Sequence, residues 1–292
     1  MEQQAAAPLA ALVQMTSGID PDANLAAIDR AMAAAAAQGA SMVFLPEMSL
    51  LLDRDRQRSA PHIRREVDST WLPTLQAMAQ HHGVWLHSGS MPLLADTGDR
   101  RVNRSHVIAA DGSIRARYDK IHMFDVTLPS GENWTESAAY AGGDALTVVD
   151  TPLGRLGLSI CFDLRFPELY RALVDRGAEV IAIPAAFTVP TGAAHWHVLL
   201  RARAIETGCH VIAAAQGGTH ADGRATYGHS LAVDPWGRIL AEIVEAGDDP
   251  TLALVPIAKE ARHEARTAIP LARSRAARRA TIDSVCAGDR ND

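Results

Sequence analysis

Residues Gly154–Pro184 read GRLGLSICFDLRFPELYRALVDRGAEVIAIP. RLGLSI is a short apolar strand, FPELYRALVD is a helix opening near Pro167, and VIAIP (Val180 to Pro184) is a continuous apolar run of buried-strand type. Proline suits the first helical turn, where its missing N–H costs nothing. Toward the N-terminus, LAALVQM (Leu9 to Met15) reads as a strand, and Asp20-Pro21-Asp22 caps a helix that carries Ala31 to Ala37 and stops at Gly39. SMVF (Ser41 to Phe44) is a second strand, ended by Pro46. A helix from Trp71 to Gln80 closes near Gly83, and a strand runs from Val84 to Ser90. VNRSHVIAA and SIRARY alternate about Asp111-Gly112 as a hairpin, and ALTVVD with RLGLSI does the same about Pro152-Leu153-Gly154. Toward the C-terminus, a helix from about Ala194 to Thr207 leads into the strand HVIAAAQ (His210 to Gln216). SLAVD and RILAEIV flank Pro235-Trp236-Gly237 as a third hairpin, and TLALVPI closes the sheet region. Helices alternating with strands and several hairpins point to one α/β layered domain with mixed sheets rather than a purely parallel, doubly wound fold. Its core spans about residues 9–257. From Ala258 onward the chain, including RSRAARRA, is basic and polar and reads as a solvated helix or arm to residue 292.

The chain has 292 residues, 48% of them hydrophobic, with a formal net charge of −6. The apolar share supports a packed core and excludes disorder for the body of the chain. The acidic balance speaks against nucleic acid as partner, because phosphate binding needs a basic face. No apolar run approaches the roughly 18 residues of a membrane helix, so no membrane partner is expected. Glu2 stands where a secretory leader carries basic residues. Three widely spaced cysteines make no disulfide framework, so a reducing, cytoplasmic location is expected. There is no GxxxxGK[ST], no GxGxxG after a strand, no GxSxG and no HExxH. His195 and His197 lie two residues apart on a helix and face different ways, so no metal or other cofactor is expected.

Cys161 ends one strand just before a helix, where unpaired backbone N–H groups favour a thiolate. The alternative for a lone cysteine is a small buried hydrophobe, which is the reading for Cys209; Cys286 lies in the polar tail. A thiol with an ordinary pKa of about 8.5 needs a base to become a nucleophile. Twelve histidines leave a Cys–His pair open on composition. Glu47 likewise leaves the end of a buried strand, where desolvation suits a carboxylate to base catalysis, and Lys120 follows the strand SIRARYD. Acyl transfer from an amide needs a nucleophile, a base that also protonates the departing amine, and a cation for the oxyanion. Cys161, Glu47 and Lys120 are of the right types for those three tasks.

LPEMSL with Glu47, YDKIHMFD with Lys120 and GLSICFDLRFPELYR with Cys161 resemble the three catalytic motifs of the nitrilase (carbon–nitrogen hydrolase) superfamily, in the family's order. Cys161 follows Lys120 by 41 positions, which resembles the Nit branch, and the likeness runs from about Ala11 to Ala241. The resemblance implies a four-layer α-β-β-α sandwich with two mixed β-sheets, assembled as a homodimer or larger homo-oligomer through helices. It also implies Cys161 as nucleophile, Glu47 as general base and acid, and Lys120 with the backbone N–H of Phe162 as oxyanion donors. Glu136 in NWTESAAYAGGD matches the supporting carboxylate, with Glu132 the nearby competitor.

Thr191 to Gly237, with LLRARAIET, AAAQ, YGHS and DPWG, resembles the branch's amidases of deaminated glutathione more than its ω-amidases. The implied reaction converts a small-molecule amide, deaminated glutathione, to 2-oxoglutarate and cysteinylglycine. The same mechanism on 2-oxoglutaramate or 2-oxosuccinamate, on an N-carbamoyl amine or on a nitrile is the close alternative. Arg165 is the expected carboxylate contact, against an ion pair with Glu168 one helical turn on. The loop Pro129 to Thr135 and the chain after Lys259 resemble the family less well. Two readings from other classes are a non-catalytic scaffold subunit and a metallohydrolase built on His81, His82, His195 and His197.

Overall fold

The structure, a computed structural model, describes residues 6–127, 131, 133–247, 249–271 and 273–274. Glu132, Cys286 and the basic stretch beyond Ser274 lie outside the described residues. The first half of the chain contributes β1 (Leu9–Gln14), α1 (Pro21–Ala37), β2 (Met42–Phe44), α2 (Arg56–Ser59), α3 (Trp71–His82), β3 (Trp85–His87), β4 (Met91–Leu94), β5 (Arg101–Ile108) and β6 (Ile114–Asp119). A short pair, β7 (Asp125–Thr127) with β8 (Asn133–Thr135), leads to β9 (Val148–Thr151), β10 (Gly154–Leu158), α4 (Pro167–Asp175), β11 (Val180–Ala182), α5 (Val189–Thr207) and β12 (His210–Ala213). A second short pair, β13 (Gly217–Thr219) with β14 (Ala225–Tyr227), precedes β15 (Ser230–Val233), β16 (Ile239–Ile243), β17 (Thr251–Pro256) and α6 (Lys259–Ala268).

Two mixed sheets result. One runs β17-β1-β2-β3-β5-β4 with β6 on β5; the other runs β16-β15-β12-β11-β10-β9. At the centre of each, three strands are parallel: β1, β2 and β3 in the first, β10, β11 and β12 in the second. Hairpin-type neighbours complete both, as the turn signals about Asp111-Gly112 and Pro152-Leu153-Gly154 require. Pleating sorts the side chains of β1. Ala10 and Leu12 pack with Leu156, Val180 and Val211 between the sheets, while Ala11 and Val13 pack with Ile28 of α1 and Leu75 of α3. Helices α4 and α5 cover the other sheet through Leu173, Trp196 and Leu200. The layers are therefore α-β-β-α. Among the described residues no helix is long and apolar enough to cross a membrane.

Three elements differ from the sequence reading. The strand expected over Val84 to Ser90 is broken at Ser88–Ser90 and resumes as β4, both pieces pairing with β5. Pro92 is tolerated there because β4 lies at the end of the strand order. Helix α5 begins at Val189, ahead of Ala194, with Pro190 in its first turn. Gly192 hides that turn from pattern reading. It is glycine for packing: a Cβ there would come within 2.2 Å of the Tyr227 ring. Finally, α6 is more than a solvated arm. Arg262 pairs with Glu179 at 2.7 Å, and Arg266 donates to the carbonyls of Gly208 and Ala178 at 3.0 Å each.

Candidate active site

Glu47, Lys120 and Cys161 each lie just past the C-terminal end of a strand: β2, β6 and β10. Each exit is held by its own backbone device. Gly89 (φ +66°) allows the break between β3 and β4 to approach Pro46, where a Cβ would lie 1.9 Å from the Pro46 carbonyl oxygen. Ser90 then donates from its N–H to that carbonyl, and its Oγ accepts from the N–H of Met48 at 3.0 Å. Gln216, beyond β12 of the other sheet, donates from Nε2 to the Glu47 carbonyl at 3.0 Å and to Ser17 Oγ at 2.7 Å. The Lys120 backbone is pinned on both sides, its N–H donating to Asn103 and its carbonyl accepting from Gly143.

Cys161 is a left-handed residue (φ +48°) at the start of a 3-10 turn, Cys161–Arg165, and its N–H donates to the Pro184 carbonyl at 2.9 Å. Such a conformation in a side-chain-bearing residue stores strain and persists only where its surroundings fix it. Asp163 supplies the fixing. Its fully buried carboxylate accepts from the N–H of Ile160 (2.9 Å), the Tyr118 hydroxyl (2.7 Å) and the N–H of His122 (3.0 Å), with His122 Nδ1 at 2.7 Å. Tyr118 and His122 flank Lys120, so Asp163 ties the cysteine turn to the lysine strand.

At the centre sits the Lys120 ammonium, 2% exposed. It donates to Glu47 Oε1 at 3.0 Å and to both oxygens of Glu136 at 3.1 and 2.9 Å. Asn103 Nδ2 donates to the same Glu47 oxygen at 2.9 Å, and the N–H of Phe124 holds Glu136 Oε2 at 2.7 Å. Burial alone would draw the Lys120 pKa down. The charges of Glu136, Glu47 and Cys161 outweigh it, so the ammonium is held well above its ordinary range. Burial pushes the Cys161 thiol well up, and the charge and hydrogen bond of Glu47 push the same way. Lys120 and the N–H of Ala186 pull against them without prevailing. The resting group is therefore a neutral thiol beside a carboxylate that can take its proton. The Phe162 N–H belongs to the first turn after the cysteine, where backbone donors have no partner inside the helix.

Glu47, Lys120, Glu136 and Cys161 line one cavity of about 550 Å³. Sequence reasoning brought those four together and missed most of the rest of the wall. Arg54, Arg56, Arg101 and Arg224 line it, with Phe124 and Trp134 among the apolar surfaces. Arg224 is paired with Asp222, and Arg101 donates to Ser59 Oγ and the Arg56 carbonyl. The Arg54 and Arg56 guanidiniums have no acidic partner among the described residues. The acids on the wall are Glu47, Glu136 and Asp53, the last paired with Arg58.

Arg165, expected to meet a substrate carboxylate, is placed elsewhere. Its guanidinium lies over the rings of Phe162 (5.7 Å) and Phe187 (5.4 Å), with Nη1 3.2 Å from His195 Nδ1, and it is not on the cavity wall. No Arg165–Glu168 ion pair is formed among the described residues either. The four histidines of the metallohydrolase reading fall on two helices, His81 and His82 in contact at the end of α3 and His195 and His197 on α5. His82 pairs with Asp29, His195 meets Arg165, and His197 meets Glu242. Cys209 is fully buried against the Ala178 carbonyl.

Residues 9–266 match the family model described as carbon-nitrogen hydrolase. A deaminated glutathione amidase of Yersinia enterocolitica is 43% identical over 238 residues, covering 81% of this chain and 82% of that protein. The crystal structure of the C. elegans NitFhit protein aligns with a TM-score of 0.80 and 36% identity, over 91% of this chain and 64% of the longer one. Saccharomyces cerevisiae Nit3, a member of branch 10 of the nitrilase superfamily, aligns with a TM-score of 0.78 and 32% identity, over 91% and 95% of the two chains.

Proposed function

The chain belongs to the carbon–nitrogen hydrolase family, and from that premise we propose that it hydrolyses the amide of deaminated glutathione through a thioester on Cys161. The observation that carries the mechanism is the buried Lys120 ammonium, bonded to Glu47 and Glu136 in a cavity that Cys161 lines. Cys161 Sγ attacks the amide carbon as Glu47 takes the thiol proton. Lys120 and the Phe162 N–H receive the oxyanion, and Glu47 returns the proton to the departing amine of cysteinylglycine. Water, deprotonated by Glu47, then cleaves the thioester and releases 2-oxoglutarate. Glu136 holds the ammonium in place through both its oxygens.

The substrate assignment draws on two supports. One is the 43% identity to an enzyme named for deaminated glutathione. The other is the arginine-rich wall, whose Arg54 and Arg56, without an acidic partner among the described residues, suit an anionic substrate. Deaminated glutathione carries two carboxylates, one at each end, whereas 2-oxoglutaramate carries one and would leave the far cations without a partner. The assembled quartet also favours an enzyme over a scaffold subunit.

Steady-state turnover of deaminated glutathione against 2-oxoglutaramate, with intact mass spectrometry for an acyl adduct, tests both parts. Preference for deaminated glutathione and an adduct absent from Cys161→Ala are expected. Preference for 2-oxoglutaramate would overturn the substrate, and equal turnover by wild type and Cys161→Ala would overturn the thioester. We further propose a cytoplasmic homodimer or larger assembly, supported by the exposed apolar residues Val198 and Ile205 of α5, Leu240 of β16, and Trp236 and Val244 on either side of that strand. Light scattering giving a monomer mass would overturn it.

A further inference from the structure

Away from the catalytic cavity, three side chains from separate elements converge. His197 stands on α5, His229 in the turn between β14 and β15, and Glu242 on β16. His197 Nε2 lies 2.9 Å, and His229 Nδ1 2.7 Å, from the same Glu242 Oε1, and the three ligand atoms lie within 4.8 Å of one another. None of the three lines the catalytic cavity. We propose that His197, His229 and Glu242 form a binding site for a divalent first-row transition cation, with Zn2+ as the probe.

The donor set selects the class of ion. Two imidazoles and one carboxylate suit Zn2+ and its neighbours, whereas Ca2+ and Mg2+ require shells of oxygen. The two histidines offer different nitrogens, so metallation leaves each ring its proton on the far nitrogen, Nδ1 in His197 and Nε2 in His229. The side chains of all three are 22–31% exposed, enough for a hydrated ion to enter and for water to complete the shell.

The rings are also held before any ion arrives. His229 has a left-handed backbone (φ +54°), and its carbonyl accepts from Trp196 Nε1 at 2.7 Å, next in sequence to His197. Its ring stacks on Tyr227 at 4.2 Å, and His197 meets both rings edge-on. Tyr227 in turn fills the space that Gly192 leaves on α5. Groups fixed in this way lose little side-chain freedom on binding, and the support of a metal ligand by packed neighbours is typical of built sites. A backbone outlier at a cluster of ligating side chains is where strain marks function. Val189 and Pro190 of α5 and Thr226 of β14 line the catalytic cavity, so a cation held by His197 and His229 joins α5 to the turn after β14, two elements that also supply that wall.

The test is titration calorimetry of the metal-stripped full-length Cys161→Ala protein, which removes the catalytic thiol as a competing zinc ligand. One Zn2+ per chain is expected, with a rise in Tm on addition and no comparable response to Ca2+. Glu242→Gln and His229→Asn, the latter keeping a residue that tolerates positive φ, are each expected to weaken binding at least about tenfold. His197→Gln, a substitution on a helix surface, decides the matter if either of those fails to fold in EDTA. Absence of one-to-one binding, or binding unchanged in the folded variants, overturns the site.

Discussion

Lys120→Met probes the centre of the machinery with a side chain of similar length and no charge. Three donor contacts vanish, one to Glu47 and two to Glu136. In the proposed mechanism one donor to the oxyanion vanishes with them, and removing one preorganised donor of this kind costs about 10²–10³ in kcat, roughly 2.7–4 kcal/mol. A second loss follows from charge. Glu47 and Glu136 remain buried with no cation between them, so the two like charges take up a proton more readily than they do beside Lys120. A Glu47 that already holds a proton cannot accept one from Cys161. The fall in kcat is therefore at least a hundredfold and steeper toward acid pH.

Stability moves the other way. A buried carboxylate left without its cation destabilises the fold while charged and is relieved on protonation, so the variant's deficit in Tm shrinks toward acid pH. Raising the pH on wild type does not mimic the substitution. The Lys120 pKa lies well above its ordinary 10.5, so its stabilising charge is present below that value and is lost only as pH rises through the higher folded one. Steady-state kinetics and thermal melts between pH 6 and 9 provide the assay. A folded Lys120→Met enzyme within tenfold of wild-type kcat would refute the assignment.

Glu136→Gln keeps the shape and removes the charge, so kcat is expected to fall about tenfold to a hundredfold while the acyl adduct at Cys161 still forms; full activity would exclude Glu136 from the site. Asp163→Asn replaces one oxygen, and with it two of the four acceptor contacts, by a donor that faces a backbone N–H, of Ile160 or of His122; this should lower Tm and slow alkylation of Cys161, and unchanged values for both would show that the cysteine turn does not depend on this carboxylate. Stability is also expected to fall with acid in two ranges. Burial draws His87 down to about 3 from 6.5, so the unfolded chain takes up a proton below about 6.5 that the native one refuses. Glu66, hydrogen-bonded to His106, Arg117 and Arg104, is held well below its ordinary 4.5, so its contribution is present above that value and lost as pH falls through the range beneath it. Urea midpoints measured from pH 7 to 3 check the slope, and Glu66→Gln should remove the lower part of it.

The layered α/β class was legible in the sequence because its signals are local. VIAIP and HVIAAAQ are continuous apolar runs, and they became the central parallel strands β11 and β12. What could not be read is what glycine and proline do in three dimensions. Gly89 breaks a strand in order to approach Pro46, and no alternation of residues announces that contact. Glu47, Lys120 and Cys161 were legible for the reason that makes the fold legible: each sits one to three residues beyond the end of a strand, and the three ends meet at one cavity. Asn103 carried a weaker signal, a polar residue inside VNRSHVIAA, and it proves to donate to Glu47. The arginines were not legible. Arg54 and Arg56 occur in the charged run DRDRQR, which sequence alone cannot tell from a solvated surface. Arg165 looked better placed only because it is near Cys161 in the chain, and the turn that sets Cys161 on the cavity wall sends that guanidinium onto Phe162 and Phe187.

The unequal grip of the two carboxylates on Lys120 suits the reaction proposed for this site. Glu136 holds the ammonium through two contacts and is itself fixed by the Phe124 N–H, whereas Glu47 shares a single oxygen between Lys120 and Asn103. When Glu47 takes the thiol proton, its negative charge disappears and one appears on the substrate oxygen. The ammonium then exchanges one anionic partner for another while Glu136 keeps it in position. The net charge of the buried cluster does not change during the step, so little of the surroundings has to reorganise, which is the condition under which a fixed cation lowers a barrier most. A single carboxylate could not both hold the lysine and release it, and the geometry divides those two tasks between Glu136 and Glu47.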